Sequence, residues 1–302
     1  MNEHHHHSHD VSGKNLFVTI ILNIIITISQ ILGGIYSGSL ALLSDAMHNF
    51  SDVLSLIIAW WANRLATKDA TLQKTFGYKR AEILATLFNA SVLIGIGIFL
   101  IIEAFHKFYH PEIIDSTLVI ALGLMSIILN IASVLLIKND AHTNMNIKAA
   151  YLHLLTDVMT SIAVVVGGIL MYYYQFFWVD PIVSLIIAFY LIWASITLVK
   201  EATKILMQFT PNDINIEDIV KYIDELDEIK NTHHIHIWQL DEHRIHLEAH
   251  LDFNENITLF ESNKIIDILE KKLNNKFNIT HTIFQCEFNR DDNKDKIIAT
   301  TT

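Results

Sequence analysis

Residues 38–65 read GSLALLSDAMHNFSDVLSLIIAWWANRL. Gly38-Ser39 breaks the chain, and the run after it is apolar and long enough to cross a bilayer, for which about 20 helical residues suffice. Yet it carries Asp45, His48 and Asp52. An ionisable group inside a span costs about 2.5–3.5 kcal/mol on insertion scales, so three of them in one span point to a function. His48 and Asp52 stand four apart and therefore share a helix face. The same spacing recurs at His153 and Asp157, in an apolar stretch (149–179) whose only charge is Asp157. One such pair also reads as a hydrogen bond that helps helices pack. Two matched pairs in separate spans favour a metal, because facing each other they offer two imidazole nitrogens and two carboxylates, a tetrahedral N/O set that suits zinc. Two carboxylates cancel the charge of a divalent ion, and metal and protons compete for the same lone pairs. That competition is a physical basis for metal/proton exchange. Asp45 lies one turn before His48 on the same face; a fifth ligand, a proton acceptor and a helix-packing residue are open readings, and a supporting role behind the ligands is the expected one. Asn49, adjacent to His48, reads either as a hydrogen-bonding group across helices in the same supporting capacity or as a packing residue.

Outward from this stretch, the rest of the chain reads as membrane protein. Hydrophobic types make up 52% of the 302 residues and charged types 18%, against about a quarter charged in soluble domains. Further apolar runs cover 16–36, 83–102, 116–137 and 182–199, which with 40–65 and 149–179 make six spans. The sixth opens on Asp180-Pro181, read as a cap and a first-turn proline. The first run is not a signal peptide: one lysine precedes it, no small-residue cleavage pattern follows, and more spans come after. Arg64, Lys68, Lys74, Lys79 and Arg80 follow the second span, Lys138 and Lys148 the fourth, and Lys200 and Lys204 the sixth. The intervening loops hold Lys107 alone and no base at all. By the positive-inside bias both termini are cytoplasmic, and the chain is expected in a cell (inner) membrane.

Charge is uneven along the chain: residues 1–207 hold 13 acids and 11 bases, residues 208–302 hold 19 acids and 10 bases. The acidic C-terminal third argues against nucleic acid as a partner. A single cysteine excludes a disulfide framework and a thiolate-rich metal site. The pattern predicts a helix over 214–226 with Asn215 as N-cap, strands over 233–240 and 244–253, a helix over 259–275 and a strand over 279–288. This α-β-β-α-β order describes a small open α+β sandwich. The expected domains are a His-rich cytosolic tail (1–13), a six-helix transport domain (14–207), a cytosolic metal-binding domain (208–290) and a disordered tail (291–302). His233, His234 and His236 precede Ile237-Trp238, and strand alternation places His233 on the face opposite His234 and His236. Cys286 is expected to be a buried apolar residue. The head His4, His5, His6, His7, Ser8, His9 reads as a metal-gathering tract.

The segment 38–52, the sequence Phe76-Gly77-Tyr78-Lys79-Arg80-Ala81-Glu82 and His153-Leu154-Leu155-Thr156-Asp157 together resemble the cation diffusion facilitator family over nearly the whole chain. The resemblance implies six transmembrane helices followed by a ferredoxin-like cytosolic domain. It also implies a homodimer that exports divalent metal for protons, with His48, Asp52, His153 and Asp157 as the transport site in the zinc-preferring version. Cadmium, cobalt or iron stand as additional substrates. The same resemblance carries cytosolic regulatory zinc positions onto His233, His250 and Glu287, with Gln285 where some relatives have histidine. Between the second and third spans, where some relatives place histidines, this chain offers Asp69 and Gln73, so no tight site is expected there. Two other functions compete. A membrane zinc sensor would bind without transport. An intramembrane metallohydrolase would call for an open coordination position and typically a His-Glu-x-x-His string, which the sequence lacks.

Overall fold

The computed structural model describes residues 8–138, 145–241 and 243–297. They form two compact units, one reaching Trp61 and resuming over Ala85–Val199, the other comprising Ala62–Leu84 and the chain from Lys200 onward. This differs from a cut after residue 207 in that the 62–84 segment groups with the cytosolic part.

Six long helices correspond to the six expected spans: α1 (Ser8–Ser37), α2 (Leu40–Ala66), α3 (Ala81–Tyr109), α4 (Ser116–Ile137), α5 (Met145–Tyr174) and α6 (Val179–Leu206). Among the described residues, five helices are long and apolar enough to cross a membrane by length and composition. The exception is α2, whose 27 residues give ample length. Its polar side chains, the ones that prompted the metal reading, break its apolar run. Ile25, Ile28, Leu32 and Ile35 on α1, and Ile186, Phe189 and Trp193 on α6, point outward uncovered. Apolar faces of this extent suit a membrane or a partner surface, not water.

Several helix bounds depart from expectation, among them that of α3, which runs past Ile102 to Tyr109. α1 begins at Ser8 rather than 16, so the head is helical earlier than the anticipated order at residue 14; once a helix is nucleated, each added residue gains a hydrogen bond. His4, His5, His6 and His7 lie outside the described residues, while His9 falls in the first turn of α1. α5 stops at Tyr174 because Gln175 adopts φ 56°, a left-handed residue that ends the helix before the apolar run does. α6 continues past Val199 through its polar last turns to Leu206.

Helices α1 and α2 are joined by Gly38, whose φ of 71° suits a residue without a side chain. α4 packs along both α1 and α5. A Cβ on Gly123 would stand 2.6 Å from Val165, and one on Gly168 2.9 Å from Ile120, so small residues set how closely α4 approaches α5. Asp180, expected to cap its own helix, does something else. Its carboxylate accepts the backbone N–H groups of Leu40 (2.7 Å) and Ala41 (3.2 Å) and the hydroxyl of Ser39. It therefore caps α2, whose first-turn amides would otherwise be buried without partners.

The second unit contains α7 (Ile216–Asp224), β1 (Ile229–Asp241), β2 (Arg244–Phe253), α8 (Leu259–Phe277) and β3 (Ile279–Glu287), in the expected α-β-β-α-β order. The sheet runs β1-β2-β3, with β1 and β2 antiparallel and β2 and β3 parallel. Asn215 caps α7 by accepting the Glu217 N–H at 2.9 Å. Thr258 and Glu261 form a reciprocal capping box on α8. Ile219 and Ile223 of α7 and Leu269 and Leu273 of α8 bury against Ile235, Ile237, Leu247 and Leu251 of the sheet.

Residues 291–297, expected to be disordered, are ordered against β1: His234 N–H donates to Asp295 O (3.1 Å) and Ile235 N–H to Lys296 O (2.8 Å). The reason is backbone accounting, because β1 is an edge strand and its free amides need acceptors. Residues 298–302 lie outside the described residues.

Candidate metal centres

The membrane cluster is assembled by α2 and α5. Each helix contributes one i,i+4 pair, and the two pairs interleave, so that each histidine meets the other helix's carboxylate. His153 Nε2 stands 3.1 Å from Asp52 Oδ2, and His48 Nε2 stands 3.4 Å from Asp157 Oδ1. Within each helix the His–Asp separations are 3.8 Å and 3.9 Å. Donor atoms on a tetrahedral zinc at about 2.0–2.2 Å stand ~3.3–3.6 Å apart, inside the span of these separations. Four ligand atoms, one from each residue, all lie within 4.8 Å of one another. Asp157 is fully buried, whereas the His153 side chain is 40% exposed, so the cluster opens on the His153 side.

His48 Nδ1 and Nε2, Asp52 Oδ2 and both Asp157 oxygens are buried and have no hydrogen-bond partner among the described residues. A cluster held together by hydrogen bonds would not leave so many atoms orphaned, since each costs about 1–3 kcal/mol. A divalent cation held at this point would take up His48 Nε2, Asp52 Oδ2 and an Asp157 oxygen together, one donor from each residue. The Tyr190 ring of α6 lies edge-on to His48, with centroids 6.3 Å apart.

Asp45 faces away from this donor set. It accepts from Gln30 Nε2 (2.6 Å), Thr160 Oγ1 (2.8 Å) and Ser161 Oγ (2.9 Å). Gln30 Oε1 in turn accepts from Asn49 Nδ2 at 2.9 Å. This network ties α1 and α5 to the turn of α2 that carries His48. Gln30, Thr160 and Ser161 escaped the sequence reading. A glutamine in an otherwise charge-free apolar run was the available signal for Gln30; Thr160 and Ser161 sit on α5 one turn beyond Asp157, where two hydroxyls carry no distinctive pattern.

The cytosolic cluster is built by β1, β2, β3 and the strap after β3. His250 Nδ1 lies 2.9 Å from Glu287 Oε1, and His233 Nε2 lies 3.4 Å from Glu287 Oε2 and 3.6 Å from Asp292 Oδ2. One ligand atom from each of these four residues can be chosen within the same 4.8 Å limit. The alternation expected for β1 fails here. An irregularity between His233 and His236, with His234 at φ 49°, brings the His233 and His234 rings both against His250, at centroid distances of 5.2 and 4.6 Å. A bulge of this kind turns two successive side chains toward one face. Gln285 donates to Glu287 Oε1 at 2.7 Å and so orients it. Cys286 is exposed, not buried as expected, on β3, the edge strand opposite β1. Asp292 joins the set because the segment after β3, expected to be disordered, is held against β1.

Two cations also sit in this cluster. Lys294 Nζ lies 3.1 Å from Glu287, 3.2 Å from Asp252 and in contact with Asp292; Arg290 pairs with Glu287 at 2.9 Å. Desolvation works against the Lys294 charge, but Asp292, Glu287 and Asp252 together hold its pKa above the ordinary lysine value. Burial pushes the Glu287 carboxyl up, and the hydrogen bond and charge of Lys294 outweigh it to leave the pKa lowered. His250 is lowered by burial, to which the neighbouring His234 and His233 add, against the opposing pull of Glu287.

Six long helices, five of them long and apolar enough to cross a membrane, together with a four-donor cluster between two of them define an integral, multi-pass membrane protein built to handle a cation. The sequence matches the cation efflux transmembrane domain over residues 16–207 and the cation efflux protein cytoplasmic domain over residues 211–288. The chain belongs to the cation diffusion facilitator family of cation efflux transporters. It is 37% identical over 288 residues to a cadmium, cobalt and zinc/H(+)-K(+) antiporter of Bacillus velezensis, covering 94% of this chain and 91% of that one. It is 32% identical to the metal cation efflux system protein CzcD of Cupriavidus metallidurans (93% and 89% covered). To the zinc transporter ZitB of Pectobacterium atrosepticum it is 30% identical, with 95% and 90% covered.

Proposed function

We propose that this chain exports zinc from the cytosol in exchange for protons, holding the ion between His48, Asp52, His153 and Asp157. The observation that carries this reading is the interleaved pairing of two His–Asp faces, with orphaned nitrogen and oxygen atoms directed at one another. Two carboxylates neutralise a divalent ion where an uncompensated charge is expensive. Protons occupy the same lone pairs when the ion leaves, so loading and release are coupled to proton movement by competition. The network of Asp45, Gln30, Asn49, Thr160 and Ser161 keeps the two helices in register so that the four donors converge. The relatives' names, which include cadmium and cobalt as well as zinc, support these metals as additional cargo.

The orientation puts both termini in the cytoplasm of a bacterial inner membrane, following the lysine and arginine bias of the loops. The working unit is a homodimer. His233, His250 and Glu287, with Asp292, bind zinc on the cytosolic side and bias the dimer arrangement that transports. The approach of His250 Nδ1 (2.9 Å) and His233 Nε2 (3.4 Å) to the two oxygens of Glu287 supports a metal there.

Reconstitution in proteoliposomes with a zinc-sensitive dye and a pH-sensitive dye tests the reading. Zinc movement accompanied by opposite proton movement, abolished in a His48→Ala variant, is expected. Saturable zinc binding without flux would replace the transporter with a sensor.

A further inference from the structure

The cytosolic donor set already holds a positive charge, and it comes from the chain itself. Lys294 Nζ touches Glu287 Oε2, Asp252 and Asp292, and stands 3.4 Å from His233 Nε2. Three of these partners, Glu287, Asp292 and His233, belong to the four-residue set that converges there. We propose that Lys294 is a tethered cation that keeps the cytosolic site closed, and that a divalent metal enters by expelling the Lys294 side chain while Asp292 remains as the fourth donor.

Three features support this. The strap is fixed by its backbone, through the His234-to-Asp295 and Ile235-to-Lys296 hydrogen bonds, so the ammonium is delivered at a high effective concentration, on the order of millimolar or above for a short tether. The side chain itself is free to leave: it is unbranched and 28% exposed, and a change of rotamer carries the ammonium into water without unpairing the strap. The charge balance favours replacement, since a divalent ion meets Glu287 and Asp292 with twice the charge and adds coordinate bonds to two imidazoles, whereas the ammonium stands only 3.4 Å from one of them, His233. Arg290 also touches Glu287, but at 55% exposure it is a weaker, more screened competitor. The consequence is a threshold: the site loads only when cytosolic metal is high enough to outcompete the chain's own cation. The inference rests on reading His233, His250 and Glu287 as a metal site.

The test uses full-length protein in detergent, with Asp52 and Asp157 replaced by alanine to silence the membrane cluster and His4, His5, His6, His7 and His9 replaced by serine. Cobalt(II) alone is the probe, titrated by its visible absorption. Lys294→Gln is expected to tighten cobalt binding by about tenfold, a typical size for a coupling of this kind, while Lys294→Arg, which keeps the charge, stays near the parent. In the Lys294→Gln background, Asp292→Asn weakens binding again. Because removing Lys294 takes from Asp252 its cation and leaves Glu287 only the half-exposed Arg290 as a charged partner, the metal-free variant is expected to melt lower and to gain more stability from cobalt than the parent does, a signature a merely structural lysine would not give. Unchanged or weaker cobalt affinity in Lys294→Gln, with binding still abolished by His233→Ala, overturns the lock and leaves the metal site standing. Cobalt binding indifferent to both His233→Ala and Glu287→Gln overturns the site and the lock together.

Discussion

Asp157 is the most constrained of the membrane donors: fully buried, with both carboxylate oxygens unpartnered, and reached by both histidines. Asp157→Ala leaves a loaded site with a net positive charge in a low-dielectric setting. Zinc flux in proteoliposomes is expected to fall by about a hundredfold or more, given the several kcal/mol that an uncompensated buried charge costs, with folding retained as judged by size-exclusion behaviour. Flux within a few fold of the parent would remove Asp157 from the ligand set. His153 differs, because its side chain is partly open and its Nε2 already leans on Asp52 at 3.1 Å. Exchanging a borderline imidazole for a hard oxygen donor in His153→Asp is expected to broaden selectivity toward harder cations such as manganese(II), read by competition against zinc uptake. An unchanged zinc preference would count against His153 as a donor.

At the scale of elements, α2 depends on a residue far away in sequence. Asp180, in the first turn of α6, supplies the acceptors for the first amides of α2. Asp180→Ala strands those buried donors at a cost of about 1–3 kcal/mol, so a lowered midpoint of thermal unfolding in detergent is expected, along with weakened metal binding as the His48 end of the helix loosens. Asp180→Asn, which keeps an acceptor, should lie between. In the cytosolic unit, His246 is packed against Trp238, Phe76 and His281. Burial holds its pKa below the ordinary value; the His281 and Arg244 charges act in the same direction, and Asp241 and Glu248 oppose them. The folded state therefore resists a proton that the unfolded chain accepts. His246 costs nothing well above pH ~6.5, and stability is lost as pH falls from there toward the lowered folded value. His246→Phe should flatten the decline in melting temperature between pH 7 and 5; parallel curves for parent and variant would show that other groups carry it.

For the whole molecule, the proposed dimer is checked by mass. Light scattering of the detergent complex, corrected for detergent, should give twice the 34.5 kDa chain, and a monomer that still transports would dissociate the cytosolic regulatory reading from any dimer arrangement.

Much of this was written in local periodicity. A four-residue spacing fixes a helix face whatever the neighbours do, and the repetition of His-x-x-x-Asp at 48–52 and 153–157 therefore placed each His–Asp pair on one face of its helix. Apolar run length specified six helices, and alternation the order of the small sheet, because burial against lipid or a core imposes a period on the chain itself. Only the folded chain decided the rest. Asp180 caps a helix that begins 140 residues earlier. Gln30, Thr160 and Ser161 converge on Asp45, and a bulge at His234 reverses the expected side of His233. The strap brings Asp292 and Lys294 into the cytosolic cluster. Each of these answers a demand created by packing, an amide or a carboxylate that burial leaves without water, and the group that meets it is whichever one the tertiary fold brings near.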